Sequence, residues 1–168
     1  LVAPVLPDPP LPPRERDIAF AGFHLTPLQG SVLPAEGPLF AVLVAGSGPT
    51  DRNWSNPLLP KGQAGKDFAL WLQRKGVASL RFDKRFIGSK DPKLDISLDA
   101  QLGDIRAALK AARSLQEAKG KKLLLVGHSE GALLGMMAAS ETDALLLIGL
   151  PAQSMAKTIL AQLRLQLP

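Results

Sequence analysis

No cysteine and no tyrosine occur in the 168 residues, and histidine occurs only twice. The first absence removes disulfides and thiolate metal sites, and two histidines are too few for a histidine-rich metal centre. Without tyrosine, the basic residues lack the interleaved rings that stack on nucleic-acid bases. The formal net charge of +5 therefore reads as a solvated basic surface. Its denser groups, Arg81, Lys84 and Arg85, then Lys119, Lys121 and Lys122, fall at the ends of elements. Neither a nucleic-acid partner nor a metal or organic cofactor is expected. No apolar run approaches the roughly 18 residues of a membrane span. An initiator Met and a signal-like segment are also lacking: the chain opens at Leu1, with six prolines in its first 13 residues. That segment resembles an exposed mature terminus, which favours export after removal of a signal peptide over a cytoplasmic location without fixing either.

What is present is a globular composition, 46% hydrophobic and 21% charged, enough for one core. The chain is organised around Leu123 to Met137, where an apolar run stops at a serine between two glycines and resumes with helical character. That pattern reads as strand, sharp turn, helix. Gly127-His128-Ser129-Glu130-Gly131 fits G-x-S-x-G, the nucleophile elbow, in which strand and helix crowd so closely that only glycine fits on either side of the serine. Ser129 is the candidate nucleophile.

The remaining elements follow from periodicity. Residues 1–13 read as an extended Pro-rich segment, and residues 14–153 as an α/β core. Asp17 to Leu25 and Leu28 to Leu33 predict two antiparallel strands. Leu39 to Ala45 is apolar without alternation, as expected of a strand covered on both faces. A loop from Gly46 to Gly65 leads to a helix over about Ala64 to Lys75, with Phe68, Trp71 and Leu72 on one side. Val77 to Phe82 is the next strand. Ser97 or Asp99 caps a long helix with an apolar stripe of Leu98, Leu102, Ile105, Leu109, Ala112 and Leu115. Glu130 to Ser140 forms the helix after the elbow, Asp143 to Leu150 a last strand, and residues 154–168 an amphipathic helix. Alternating strands and helices at this spacing predict one doubly wound, mostly parallel sheet with right-handed crossovers.

A serine hydroxyl is a poor nucleophile at neutral pH, so catalysis needs a base for its proton and preformed donors for the oxyanion. The backbone N–H of Glu130 supplies one donor. A second comes from the loop after Ala45, Gly46-Ser47-Gly48-Pro49: Pro49 has no N–H, which leaves Ser47, with Gly48 as the lesser alternative. Gly46, Asp51, Arg52, Trp54, Gly127, His128 and Gly131 are expected to shape the site. Asp51 and Arg52 are expected to pair and hold the oxyanion loop, or to meet substrate. Asp83 is expected to tie down its own loop through Lys84 or Arg85. Trp54 either lines an acyl pocket or packs. His128 is expected to pack beneath the turn, and His24 to lie at a strand end. Nucleotide readings fail: Gly46-x-Gly48 meets Asp51 where a third glycine is needed, and Gly65-Lys66 lacks both the earlier P-loop glycine and a following Ser or Thr.

Three stretches, Ala45 to Arg52, Arg81 to Arg85, and the elbow at Ser129, occur in the order and at the spacing of a known family. On them the chain resembles the N-terminal half of an α/β-hydrolase, in the serine esterase and acyl-hydrolase branch. The resemblance implies a carboxylic ester hydrolase with a small ester or acyl substrate and Ser129 as nucleophile; the alternatives are a peptidase or acyltransferase on the same triad, and a non-catalytic module of the same fold that binds a ligand or partner. One departure is Phe86, where relatives usually have glycine in an Arg-Gly-x-Gly turn. A larger one is that no histidine follows Ser129, although the fold orders its triad Ser, then Asp or Glu, then His. The sheet is expected to be incomplete at the C-terminus, with the acid and the base supplied by sequence past Pro168 or by a second chain. An almost wholly apolar final strand left as a sheet edge agrees with that expectation.

Overall fold

The structure, a computed structural model, describes residues 14–56 and 60–154 together with Lys157, Leu160, Ala161 and Arg164. The Pro-rich segment 1–13 and most of the expected helix over 154–168 lie outside the described residues. Six strands, β1 (Arg16–Ala21), β2 (Pro27–Leu33), β3 (Leu39–Val44), β4 (Ala78–Phe82), β5 (Lys122–His128) and β6 (Ala144–Ile148), form one sheet in the order β1-β2-β4-β3-β5-β6. β1 and β2 pair antiparallel, and β2 runs antiparallel to β4. β4, β3, β5 and β6 are mutually parallel. The sheet is thus mixed but mostly parallel. Its parallel strands point their carboxyl ends the same way, which brings the loops after β3, β4 and β5 together at one edge.

Burial explains the strand compositions. Phe40 to Val44 of β3 and Ala78 to Phe82 of β4 are buried throughout, as central strands with both faces covered must be. Helices α1 (Ala64–Arg74), α2 (Leu98–Ser114) and α3 (Glu130–Met137) supply the cover. One core cluster joins β2, β3, β4 and β5 to Leu102, Ile105, Leu109 and Ala112 of α2 and Leu134 of α3. The other sets Ala41, Leu43 and Val126 against Ala69 and Leu72 of α1. Ser97 caps α2 by accepting from Ala100 N at 3.2 Å, the cap expected of a serine at that position.

Three expectations are corrected. The first strand ends at Ala21, and Phe23–Leu25 form a 3-10 turn in which His24 and Leu25 adopt positive φ. Trp71 is half exposed, because the buried face of α1 is Gly65, Ala69, Leu72 and Gln73. Leu98 is likewise outside the α2 stripe: it is the first residue of the helix and is 49% exposed. Among the described residues no helix is long and apolar enough to cross a membrane.

Candidate active site

At the carboxyl end of β5 the chain turns directly into α3, and Ser129 sits at the junction with φ 54° and ψ −116°. A non-glycine residue there is strained, and such strain persists only when its surroundings over-determine it. They do so here. Ser129 N donates to Ile148 O of β6 at 2.9 Å, and Ser129 O accepts from Ala132 N at 3.0 Å and Leu133 N at 3.2 Å. A Cβ on Gly127 would lie 2.6 Å from Ala132 Cα, and one on Gly131 2.6 Å from Val44 O. The two glycines therefore let α3 press against β5 on one side and the end of β3 on the other. This close packing sets the Gly46–Ser47–Gly48 loop beside the elbow. The Ser129 side chain makes no capping hydrogen bond.

The loop after β3 folds on its own carbonyls. Thr50 Oγ1 donates to Ser47 O at 3.0 Å and Thr50 N to Gly48 O at 2.8 Å, with Gly48 at φ +81°. Ser47 and Gly48 are exposed, whereas Gly46 is buried under the His128 ring, whose Nδ1 is 3.0 Å from where a Cβ would project. As the first residue of α3, Glu130 has an N–H without an intrahelical acceptor. A cavity of about 350 Å³ lies between Gly48, Pro49, Phe86, Ile96, Gln101 and Glu130.

A search of protein-family profiles gave no match to this chain. Among solved structures, the esterase Pf2001 of Pyrococcus furiosus superposes with a TM-score of 0.72 at 19% identity, covering 92% of this chain and 56% of that one. The chain has the α/β-hydrolase fold. The α/β hydrolase GrgF from Penicillium sp. sh18 superposes with a TM-score of 0.66 at 20% identity, over 91% of this chain and 52% of that one. A polyketide transferase of Stachybotrys chlorohalonatus is 34% identical over 76 residues, 44% of this chain and 26% of its own length. The chain thus spans about half the length of the two solved α/β-hydrolase-fold proteins.

Within this α/β-hydrolase fold several expected partnerships are rearranged. Asp51 and Arg52 do not pair. The Asp51 carboxylate closes its own turn by accepting from Asn53 N at 2.8 Å and Ser55 N at 2.9 Å. Arg52 instead meets Asp83 through its backbone N–H and its guanidinium, both at 2.7 Å, and reaches Asp17 and Ser31 at 3.0 Å. Asp83 accordingly joins the loop after β3 to the loop after β4 and does not tie down its own segment. Behind this pair the fully buried Arg81 donates to Asn53 and to Glu15. His128 does not pack beneath the turn. It is exposed and stacks on Trp54 at 5.4 Å between centroids, and the row continues to Phe68 at 6.4 Å and on to Trp71 at 5.6 Å. Trp54 packs in that row and is not among the residues lining the 350 Å³ cavity.

His24 is exposed beyond the end of β1. In the strand order it is four places from β5, about 19 Å at the usual spacing of about 4.8 Å. Among acids after the serine, Glu141 pairs with Arg106 at 2.7 Å and Asp143 accepts from Leu123 N at 2.7 Å. Both lie at the amino end of β6, away from the elbow. The sequence puts Arg81, Lys84 and Arg85 on a solvated basic surface and offers Lys84 and Arg85 as partners for Asp83; instead all three are buried, drawn in by carboxylates other than Asp83. Lys84 Nζ donates to Glu130 Oε2 at 2.7 Å, and Arg85 makes a two-pronged pair with Asp104 at 2.7 and 2.8 Å. Burial pulls the Lys84 ammonium below the ordinary lysine value, and its bond to Glu130 only partly offsets this.

Proposed function

We propose that this chain carries the nucleophile of a serine hydrolase that cleaves carboxylic esters, or closely related acyl compounds, through an acyl-enzyme on Ser129. The observation that supports this most is the backbone of Ser129, held at φ 54° between two glycines whose neighbours leave no room for a side chain. Ser129 Oγ attacks the acyl carbonyl and loses its proton to a histidine. The oxyanion that forms accepts from Glu130 N–H and from Ser47 N–H, with Gly48 N–H as the lesser alternative for the second donor. Each donor contributes about 3 kcal/mol to the transition state. Collapse expels the alcohol, and water then releases the acid. The histidine and its acid are supplied by further sequence of the same protein or by a second chain, since His24 stands across the sheet and His128 is stacked on Trp54. The cavity beside Glu130 takes the apolar part of the substrate against Phe86 and Ile96.

Acyl transfer is the second reading, favoured by the 34% identity to a polyketide transferase. It uses the same acyl-enzyme with a different acceptor. A fluorophosphonate that labels activated serines tests both: the full protein is expected to label, and Ser129→Ala to abolish it. An unlabelled, folded protein would assign the pocket to binding without catalysis. Release of acid to water, against transfer to an added alcohol or thiol, then separates the two enzymatic readings.

A further inference from the structure

Glu130 places a carboxylate one residue from the proposed nucleophile, on the residue whose N–H is a proposed oxyanion donor. An uncompensated negative charge there opposes the negative charge that develops on the substrate oxygen. That carboxylate is nearly buried, at 13% exposure, and its partner Lys84 is at 8%. Lys84 comes from the loop after β4, 46 residues earlier in the chain. Among the described residues its ammonium donates to Glu130, and it lies 5.8 Å from the Phe86 ring centroid. A buried lysine with one ionic partner is a poor choice for stability alone, because desolvation offsets most of the attraction.

Building on the serine-hydrolase reading, we infer that Lys84 is a positioning residue for acylation: it neutralises Glu130 and holds the first turn of α3 so that the N–H of Glu130 faces the oxyanion without an adjacent net charge. Lys84 touches neither substrate nor Ser129 in this scheme and acts only through Glu130. A clamp whose value is purely structural is symmetric, since removing either partner breaks the same bond. Charge compensation is asymmetric. Loss of Lys84 leaves an anion beside the forming oxyanion, whereas loss of the Glu130 charge leaves none.

The test measures the second-order rate of fluorophosphonate labelling at Ser129, and kcat and KM on a p-nitrophenyl ester, in the full protein. Lys84→Met is expected to slow labelling and kcat on the order of tenfold to a hundredfold, with KM little changed. Glu130→Gln, whose amide oxygen still accepts from Lys84 but carries no charge, is expected to slow them at least tenfold less than Lys84→Met. The double variant Lys84→Met/Glu130→Gln, which removes the pair as a unit, is expected to recover most of the rate lost in Lys84→Met. Equal slowing by the two single variants, or a double variant as slow as Lys84→Met, overturns the inference. A wild-type protein that does not label overturns the serine-hydrolase reading instead, so the two failures are distinguishable. If Lys84→Met does not fold, the comparison of Glu130→Gln with Lys84→Arg decides: a Lys84→Arg variant that melts like wild type yet labels more slowly than Glu130→Gln sinks the charge argument.

Discussion

Replacing Asp104 by alanine should be among the most damaging changes available outside the elbow. Asp104 and Arg85 are both almost fully buried. The carboxylate accepts from Arg85 Nε at 2.7 Å, Arg85 Nη2 at 2.8 Å and Phe23 N at 2.8 Å. Truncation leaves a guanidinium buried with only the carbonyls of Asp95 and Phe23, at 2.8 and 3.2 Å, and leaves one backbone donor unmet. Breaking a buried pair by removing one partner costs about 3–5 kcal/mol. Against a typical total of about 5–15 kcal/mol, that is a large fraction of the stability. In a domain of this size it corresponds to a fall in Tm of about 12 °C. Urea unfolding followed by circular dichroism should show the midpoint shift without a change in slope. Replacing the pair together, with Arg85→Met and Asp104→Leu, should recover more than half of the loss. A single-variant loss below about 1 kcal/mol would refute the view that this pair joins the loop after β4 to α2 and to the turn at Phe23.

Gly131→Val should leave little folded protein, since its branched side chain must displace the end of β3; a normal melt would show that α3 and β3 are not in the contact described. The bond from Arg16 holds the Glu117 carboxyl below the ordinary 4.5, so the unfolded chain takes up protons there more readily than the folded one. That stability is complete above pH 4.5 and is lost as pH falls through the depressed folded value. Because Arg16 is half exposed the effect stays under about 1 kcal/mol, and Glu117→Gln should flatten the acid limb of the stability profile by that amount. The 168-residue chain alone should self-associate through β6, where Leu146 is 40% exposed; Leu146→Lys should lower light scattering, and unchanged scattering would place the association elsewhere.

The turn at Ser129 was legible because its cause is local: two glycines at fixed offsets, an apolar strand before and a small-residue helix after. The central strands were legible from their apolar runs, and β2, β3 and β4 begin and end within one residue of the expected positions. Ionic partners were not legible. Arg52 stands next to Asp51 in sequence, yet it pairs with Asp83, 31 residues away, because the sheet sets β4 beside β3. Lys84 finds Glu130 by the same lateral logic, across the carboxyl ends of the strands. Helix faces were read less well: Trp71 and Leu98 satisfy the 3.6-residue period but stand about half exposed, outside the buried faces of α1 and α2. His128 was misplaced because the elbow motif fixes only its position beside the serine, and nothing local says that Trp54, from a distant loop, stands there to stack on it.

The backbone at Ser129 also has a meaning in evolutionary time. Strain of this kind costs on the order of 1–3 kcal/mol in every folded molecule, with or without substrate. That is a standing charge on a polypeptide whose margin is small to begin with. A lineage with no use for an upright hydroxyl would gain by replacing Ser129 with glycine, which adopts positive φ without that cost. The acyl-enzyme chemistry proposed for Ser129, held at φ 54°, is the use that would be set against that cost.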